Sequence, residues 1–289
     1  MALGRSLLHS SCINRHKGVK EMKKNMTNGT IEFSDTDMYY VSFGSGKRNL
    51  VVLPGLSDGL ATVKGKAWLL HFPYRRYLKD YKVYIFSRKN KMPENYTIRQ
   101  MADDQVLAMK KLGLNKANIL GVSQGGMIAQ YIAISHPETV DKLILAVTAP
   151  YANNVVRKAV KRWIRMSKRG DHRALMVDTA EKMYSKKYLR RNRRFFPILA
   201  IFTKPAGYDR FLKNACAILA FDARDELSKI KSPTLIIAGS DDHTVGKKAH
   251  YELKSMIPGS QLYIYKGLGH GTFEEGRDFY KRVFDFCSG

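Results

Sequence analysis

Cysteine is scarce in this chain: Cys12, Cys216 and Cys287 are its only three, odd in number and far apart. That spacing argues against a disulfide framework or a cysteine metal site and points to a reducing, cytoplasmic setting. Long hydrophobic runs are missing too. None approaches the roughly 20 apolar residues of a membrane helix, and no internal repeat is visible, so a soluble, non-solenoid protein is expected. Acidic residues are in short supply, 25 against 50 Lys and Arg, which leaves a formal charge of +25. A field of that sign favours anionic partners: acidic substrates, acidic lipid or nucleic acid. Zinc-ligand spacing and aromatic RNA-binding motifs are both lacking, and the basic residues are spread along the chain, so specific nucleic-acid binding is not expected.

What remains is a chain of 289 residues, 44% hydrophobic, long enough for one large core with an insertion. Residues 1–29 read as an extension outside that core. They carry Arg5, Arg15, Lys17 and Lys20 among serines, without the apolar stretch of a secretory signal. Strand-like pieces follow at Ile31–Phe33 and Met38–Phe43, separated by a turn-forming Ser34-Asp35-Thr36-Asp37, which predicts an opening hairpin. Asn49–Leu53 is apolar without alternation, the pattern of a strand covered on both faces, and it stops at Pro54-Gly55-Leu56.

Strands and helices then alternate. A helical stretch from Trp68 to Leu78 leads to a strand at Val83–Phe86. A helix from Thr97 to Leu112, opened by a Thr97/Gln100 capping-box pattern, leads to a strand at Ala117–Leu120. After a helix at Met127–Ser135 comes a buried strand at Leu143–Val147. This order predicts an α/β fold with a mostly parallel sheet flanked by helices. Beyond Pro150 the pattern changes. Residues 151–221 contain no convincing strand, and Lys and Arg outnumber acids there by about four to one. The helices expected in this segment are Val155–Ser167, Arg173–Tyr184 and Tyr208–Leu219. Alternation resumes with strands at Thr234–Ala238 and Leu262–Tyr265 and helices at Lys247–Met256 and Phe273–Phe286. The expected organisation is therefore a core of residues 30–150 and 222–289 with a helical lid of residues 151–221.

Chemistry concentrates at Gly121-Val122-Ser123-Gln124-Gly125-Gly126, between a predicted strand and a predicted helix. A serine at such a corner sits in a strained backbone that neighbouring chain can approach only where side chains are absent, and Gly121 and Gly125 supply that room. The following helix directs its first amides at the serine, which makes the Gln124 amide a candidate donor to a developing oxyanion and the Leu56 amide a second. A serine nucleophile needs a base, and the base a carboxylate. Two acids, Asp241 and Asp242, follow the strand ending at Ala238. Of eight histidines, only His270 lies in a glycine-flanked loop after a late strand.

Taken together, Gly121-Val122-Ser123-Gln124-Gly125-Gly126, Pro54-Gly55-Leu56, Gly239-Ser240-Asp241-Asp242 and Gly267-Leu268-Gly269-His270 resemble the capped branch of the α/β-hydrolase superfamily, from about Ile31 to the C-terminus. The resemblance implies a catalytic Ser123, Asp242 and His270, with Asp242 as the acid because it is the third residue after the glycine. It also implies an oxyanion hole of the Leu56 and Gln124 amides, and a carboxylic ester or lactone as small-molecule substrate, with no metal or organic cofactor. One motif departs: the family's oxyanion loop usually begins His-Gly, and here it begins Pro54-Gly55. Peptidase, carbon–carbon hydrolase and cofactor-free haloperoxidase chemistries share the same three residues. A hydrolase-shaped binding or regulatory protein is the alternative of a different class.

Overall fold

The structure, a computed structural model, describes residues 25–289. Most of the expected N-terminal extension lies outside the described residues. Strands β1 (Met26–Glu32), β2 (Asp37–Phe43), β3 (Arg48–Leu53), β4 (Tyr81–Lys89), β5 (Ala117–Val122), β6 (Val140–Ala146), β7 (Thr234–Gly239) and β8 (Gln261–Tyr265) form one sheet in the order β1-β2-β4-β3-β5-β6-β7-β8. The β1–β2 and β2–β4 pairs are antiparallel and all others parallel. β1 begins at Met26 and not near Ile31, because Met26–Thr30 pairs with Phe43–Tyr39 even though Asn28 and Gly29 are weak strand formers.

The unalternating apolar runs have a simple cause. Val51, Leu53, Ile119, Leu143 and Leu145 join one buried cluster, while Leu50, Val52, Leu120, Ile144 and Ala146 join another. Successive strand residues point to opposite faces, and here both faces are covered, so every position must be apolar. Onto this sheet pack helices α1 (Ala67–Leu70), α2 (Ile98–Lys111) and α3 (Gln124–Ser135). The helical stretch expected at Trp68–Leu78 is shorter: α1 gives way to a 3-10 turn at Phe72–Tyr74, with Pro73 in its first turn. α2 carries a complete capping box, with the Gln100 amide donating to Thr97 Oγ1 and the Thr97 amide to Gln100 Oε1.

Between β6 and β7 lie α4 (Asn154–Lys168), α5 (His172–Met183), α6 (Lys186–Asn192), α7 (Phe196–Thr203) and α8 (Asp209–Leu219). Two of these, α6 and α7, have no counterpart in the sequence reading. The excursion is pinched at its root: Tyr151 and Asp222 form an isolated bridge, the Ala152 amide donates to Phe221 O at 2.9 Å, and the Ala223 amide donates to Pro150 O at 3.0 Å. α9 (Ala249–Met256), α10 (Thr272–Glu275) and α11 (Phe279–Ser288) complete the chain. The single final helix expected at Phe273–Phe286 is two, because Gly276 takes an extended backbone between them. Among the described residues no helix is long and apolar enough to cross a membrane.

Candidate active site

β5 ends at Val122 and α3 starts at Gln124, leaving Ser123 alone at the corner with φ 55° and ψ −117°. That left-handed backbone is costly for any residue with a side chain and persists only where the surroundings over-determine it. Here the Ser123 amide donates to Ala146 O at 2.9 Å, and the Gly126 amide donates to Ser123 O at 2.9 Å. The glycines around the corner are obligatory. A Cβ on Gly125 would stand 1.9 Å from Leu53 O, and one on Gly121 would stand 2.4 Å from Gly125 O.

His270 and the acids arrive on loops stitched to each other. The Asp241 amide donates to Leu268 O at 2.9 Å and the Gly267 amide to Ser240 Oγ at 2.9 Å, while Gly239 leaves no room for a side chain beside Leu268. His270 Nδ1 lies 2.8 Å from Asp242 Oδ2, and its Nε2 lies 2.9 Å from Ser123 Oγ. With Nδ1–H donating to the carboxylate, Nε2 is left to accept the serine proton. Asp242 is 1% exposed and His270 4% exposed, so both work out of water. The other Asp242 oxygen accepts from the Thr244 and Val245 amides at 2.8 and 2.9 Å. Asp241 turns outward to Lys247 at 2.8 Å, which holds its carboxyl below the usual range.

The two amides singled out in the sequence both open helical turns. Gln124 is the first residue of α3, and Leu56 is the first of a 3-10 turn, Leu56–Gly59. Amides there have no partner within the helix. Gly55 brings the second strand end against the serine: a Cβ on it would lie 3.3 Å from Ser123 Cβ.

Sequence reasoning missed what holds this loop. Arg88, at the end of β4 and 1% exposed, donates through Nη2 to Pro54 O at 2.6 Å and to Gln124 Oε1 at 3.1 Å, and through Nη1 to Gly55 O at 3.3 Å. Its counter-charge is the equally buried Asp58, whose Oδ2 lies 3.8 Å from Nη1 and accepts the Arg88 amide at 3.0 Å. Arg210 of α8 reaches the same oxygen at 3.1 Å and also donates to Asp58 O at 3.0 Å. From the other side, Gln124 Nε2 donates to Asn214 O of α8 at 3.0 Å. Burial pushes the Arg88 guanidinium down from its ordinary value, and Asp58 opposes that shift. Arg88 therefore ties the Pro54-Gly55 turn to the first residue of α3, at the loop where the resemblance led one to expect a histidine and the chain has Pro54. The one signal in the sequence was a cation within the apolar run Val83-Tyr84-Ile85-Phe86-Ser87-Arg88.

An eight-stranded, mostly parallel sheet with a serine on a strained strand-to-helix corner, facing a histidine and an acid from later strand ends, defines a hydrolase-type α/β architecture. Residues 78–277 match the alpha/beta hydrolase fold family, and the chain belongs to it. A curated relative, the AB hydrolase superfamily protein YisY of Bacillus subtilis, is 31% identical over 194 residues, covering 64% of this chain and 71% of that protein. Among solved structures, MGS-M2, an alpha/beta hydrolase enzyme from a Medee basin deep-sea metagenome library, superposes with a TM-score of 0.81 at 20% identity, covering 90% of this chain and 98% of the other. The enol-lactonase from Burkholderia xenovorans LB400 does so with a TM-score of 0.77 at 21% identity, covering 90% and 100%. At that level of identity these structures share the fold.

Proposed function

We propose that the protein is a serine hydrolase that cleaves a carboxylic ester or lactone through an acyl-enzyme. The observation that carries this reading is the unbroken chain from Ser123 Oγ through the His270 ring to Asp242, with Ser123 held at a φ of 55°. Ser123 Oγ attacks the carbonyl carbon as its proton passes to His270 Nε2. Asp242 fixes the tautomer and stabilises the imidazolium. The carbonyl oxygen, now negative, is received by the Leu56 and Gln124 amides. Collapse of the tetrahedral species expels the alcohol, which takes the proton from His270. Water, deprotonated by the same ring, then releases the acid and restores Ser123. Residues 151–221 act as a lid over this site, with α8 at its inner edge through Arg210 and Asn214. The likeness to the enol-lactonase from Burkholderia xenovorans LB400 supports the oxygen-ester class.

Hydrolysis of a panel of short- and long-chain p-nitrophenyl esters, with Ser123→Ala beside the parent, tests the proposal. Turnover is expected to fall at least about 10³-fold in the variant, and a fluorophosphonate is expected to label the parent at Ser123. A folded parent that neither turns over any ester nor takes the label overturns the reading.

A further inference from the structure

The segment from Lys186 to Lys204 contains seven basic residues and no acidic one. Arg190, Arg191, Arg193 and Arg194, at the end of α6 and just beyond it, line a single open depression. Arg193 is paired with Glu181 at 2.5 Å, and among the described residues the other three have no carboxylate partner. Directly after this cluster comes α7, which anchors itself through buried Phe196 and Ala200 and leaves Ile198, Leu199, Ile201 and Phe202 in solvent, with Phe195 just ahead of it. Ile201 is 73% and Phe202 82% exposed. Scattered exposed apolar residues need no explanation, but a contiguous set beside unpaired arginines does.

We infer that α6 and α7 form a docking surface for an anionic lipid bilayer. The arginines meet the headgroup phosphates and carboxylates, and Ile201 and Phe202 enter the boundary between headgroups and acyl chains. Charge selects this occupant. An apolar face flanked by unpaired cations is complementary to a surface that is negative outside and hydrocarbon within. The net charge of +25 adds a long-range attraction of the same sign. The surface is also close to the candidate site. Phe196 stacks on Tyr184 at 5.7 Å, Tyr184 adjoins Gly271, and the Gly271 amide donates to Met183 O at 2.7 Å, one residue past His270.

Co-sedimentation of the full chain with vesicles of phosphatidylcholine alone, or of phosphatidylcholine with phosphatidylserine, tests this, with thermal melts to confirm that each variant is folded. The parent is expected to sediment with the serine-lipid vesicles, weakly with the neutral ones, and less as salt is raised. Binding is expected to fall at least about tenfold in the double variant Ile201→Ser/Phe202→Ser and in the triple variant Arg190→Gln/Arg191→Gln/Arg194→Gln. Ser123→Ala is expected to bind like the parent, so docking and hydrolysis stand or fall separately. No sedimentation with the serine-lipid vesicles, equal sedimentation with both, or undiminished binding of the serine double variant overturns the inference. So does a parent dimer that the same double variant converts to monomer, which would give the patch to a second copy of the chain.

Discussion

Arg88 is a charged side chain placed where most folds would set an aliphatic one, and its value lies in the three oxygens it joins. Replacing it with Lys keeps the charge but not the fork that spans Pro54 O, Gly55 O and Gln124 Oε1. Arg88→Lys is therefore expected to lower kcat for an ester at least about tenfold with a smaller change in KM, because the proposed mechanism makes Arg88 the residue that positions the oxyanion donors. An unchanged kcat in the folded variant would remove Arg88 from that role. Arg88→Met goes further and strands Asp58 as a buried anion beside Arg210 alone. About 3–5 kcal/mol of stability should be lost, measurable by urea unfolding. The meeting of Ser123, His270 and an acid was legible in the sequence because each follows a strand end in a glycine-bearing loop, and the resemblance chose Asp242 over Asp241. Arg88 was not, because its partners are backbone carbonyls and a glutamine that only the fold brings to it.

The strand-to-helix corner of β5 and α3 tolerates no added atoms, since the nearest neighbour of a Cβ on Gly125 is the backbone of β3. Gly125→Ala must push β3 and α3 apart. It is expected to cost about 1–3 kcal/mol in unfolding experiments and to reduce turnover more than Ala substitution at the open Gly113 does. Elements with a clear pattern, such as the apolar stripe of α2 and the unbroken apolar run of β3, could be read from the sequence to within a few residues. α7 could not, because Phe196-Pro197-Ile198-Leu199-Ala200-Ile201-Phe202 is apolar on every side and shows no helical stripe. The large apolar side chains between β6 and β7 divide accordingly. Trp163 and Phe211 join the core and Met166 packs against it, Phe196 is buried, and Phe195 and Phe202 face solvent.

Acid should unsettle the whole molecule through two histidines outside the Ser123–His270–Asp242 chain, one of them within reach of the Asp242 charge. Burial holds both His172, on α5, and His250, on α9, below the usual imidazole range; Lys204 adds to the shift at His172, and Asp242 opposes it at His250. The unfolded chain takes up these protons near pH 6.5, whereas the folded chain resists them. Stability is therefore complete above about pH 6.5 and lost as the pH falls from there through the lower folded values. His172→Gln/His250→Gln is expected to flatten the fall in melting temperature between about pH 7 and 5. A slope identical to the parent's would assign that fall to the carboxylates instead.

The meeting of Tyr151 with Asp222 bears on how such a chain diversifies. Because the excursion leaves and rejoins the sheet at one point, its length adds little to the cost of closing it, and a different excursion grafted there would leave the strand register untouched. Yet the graft is not free everywhere. It must return a cation to Asp58, where Arg210 stands, and an acceptor to the Gln124 amide group, where Asn214 O stands. Whatever else diverges, the excursion should be held fast at these two places on α8.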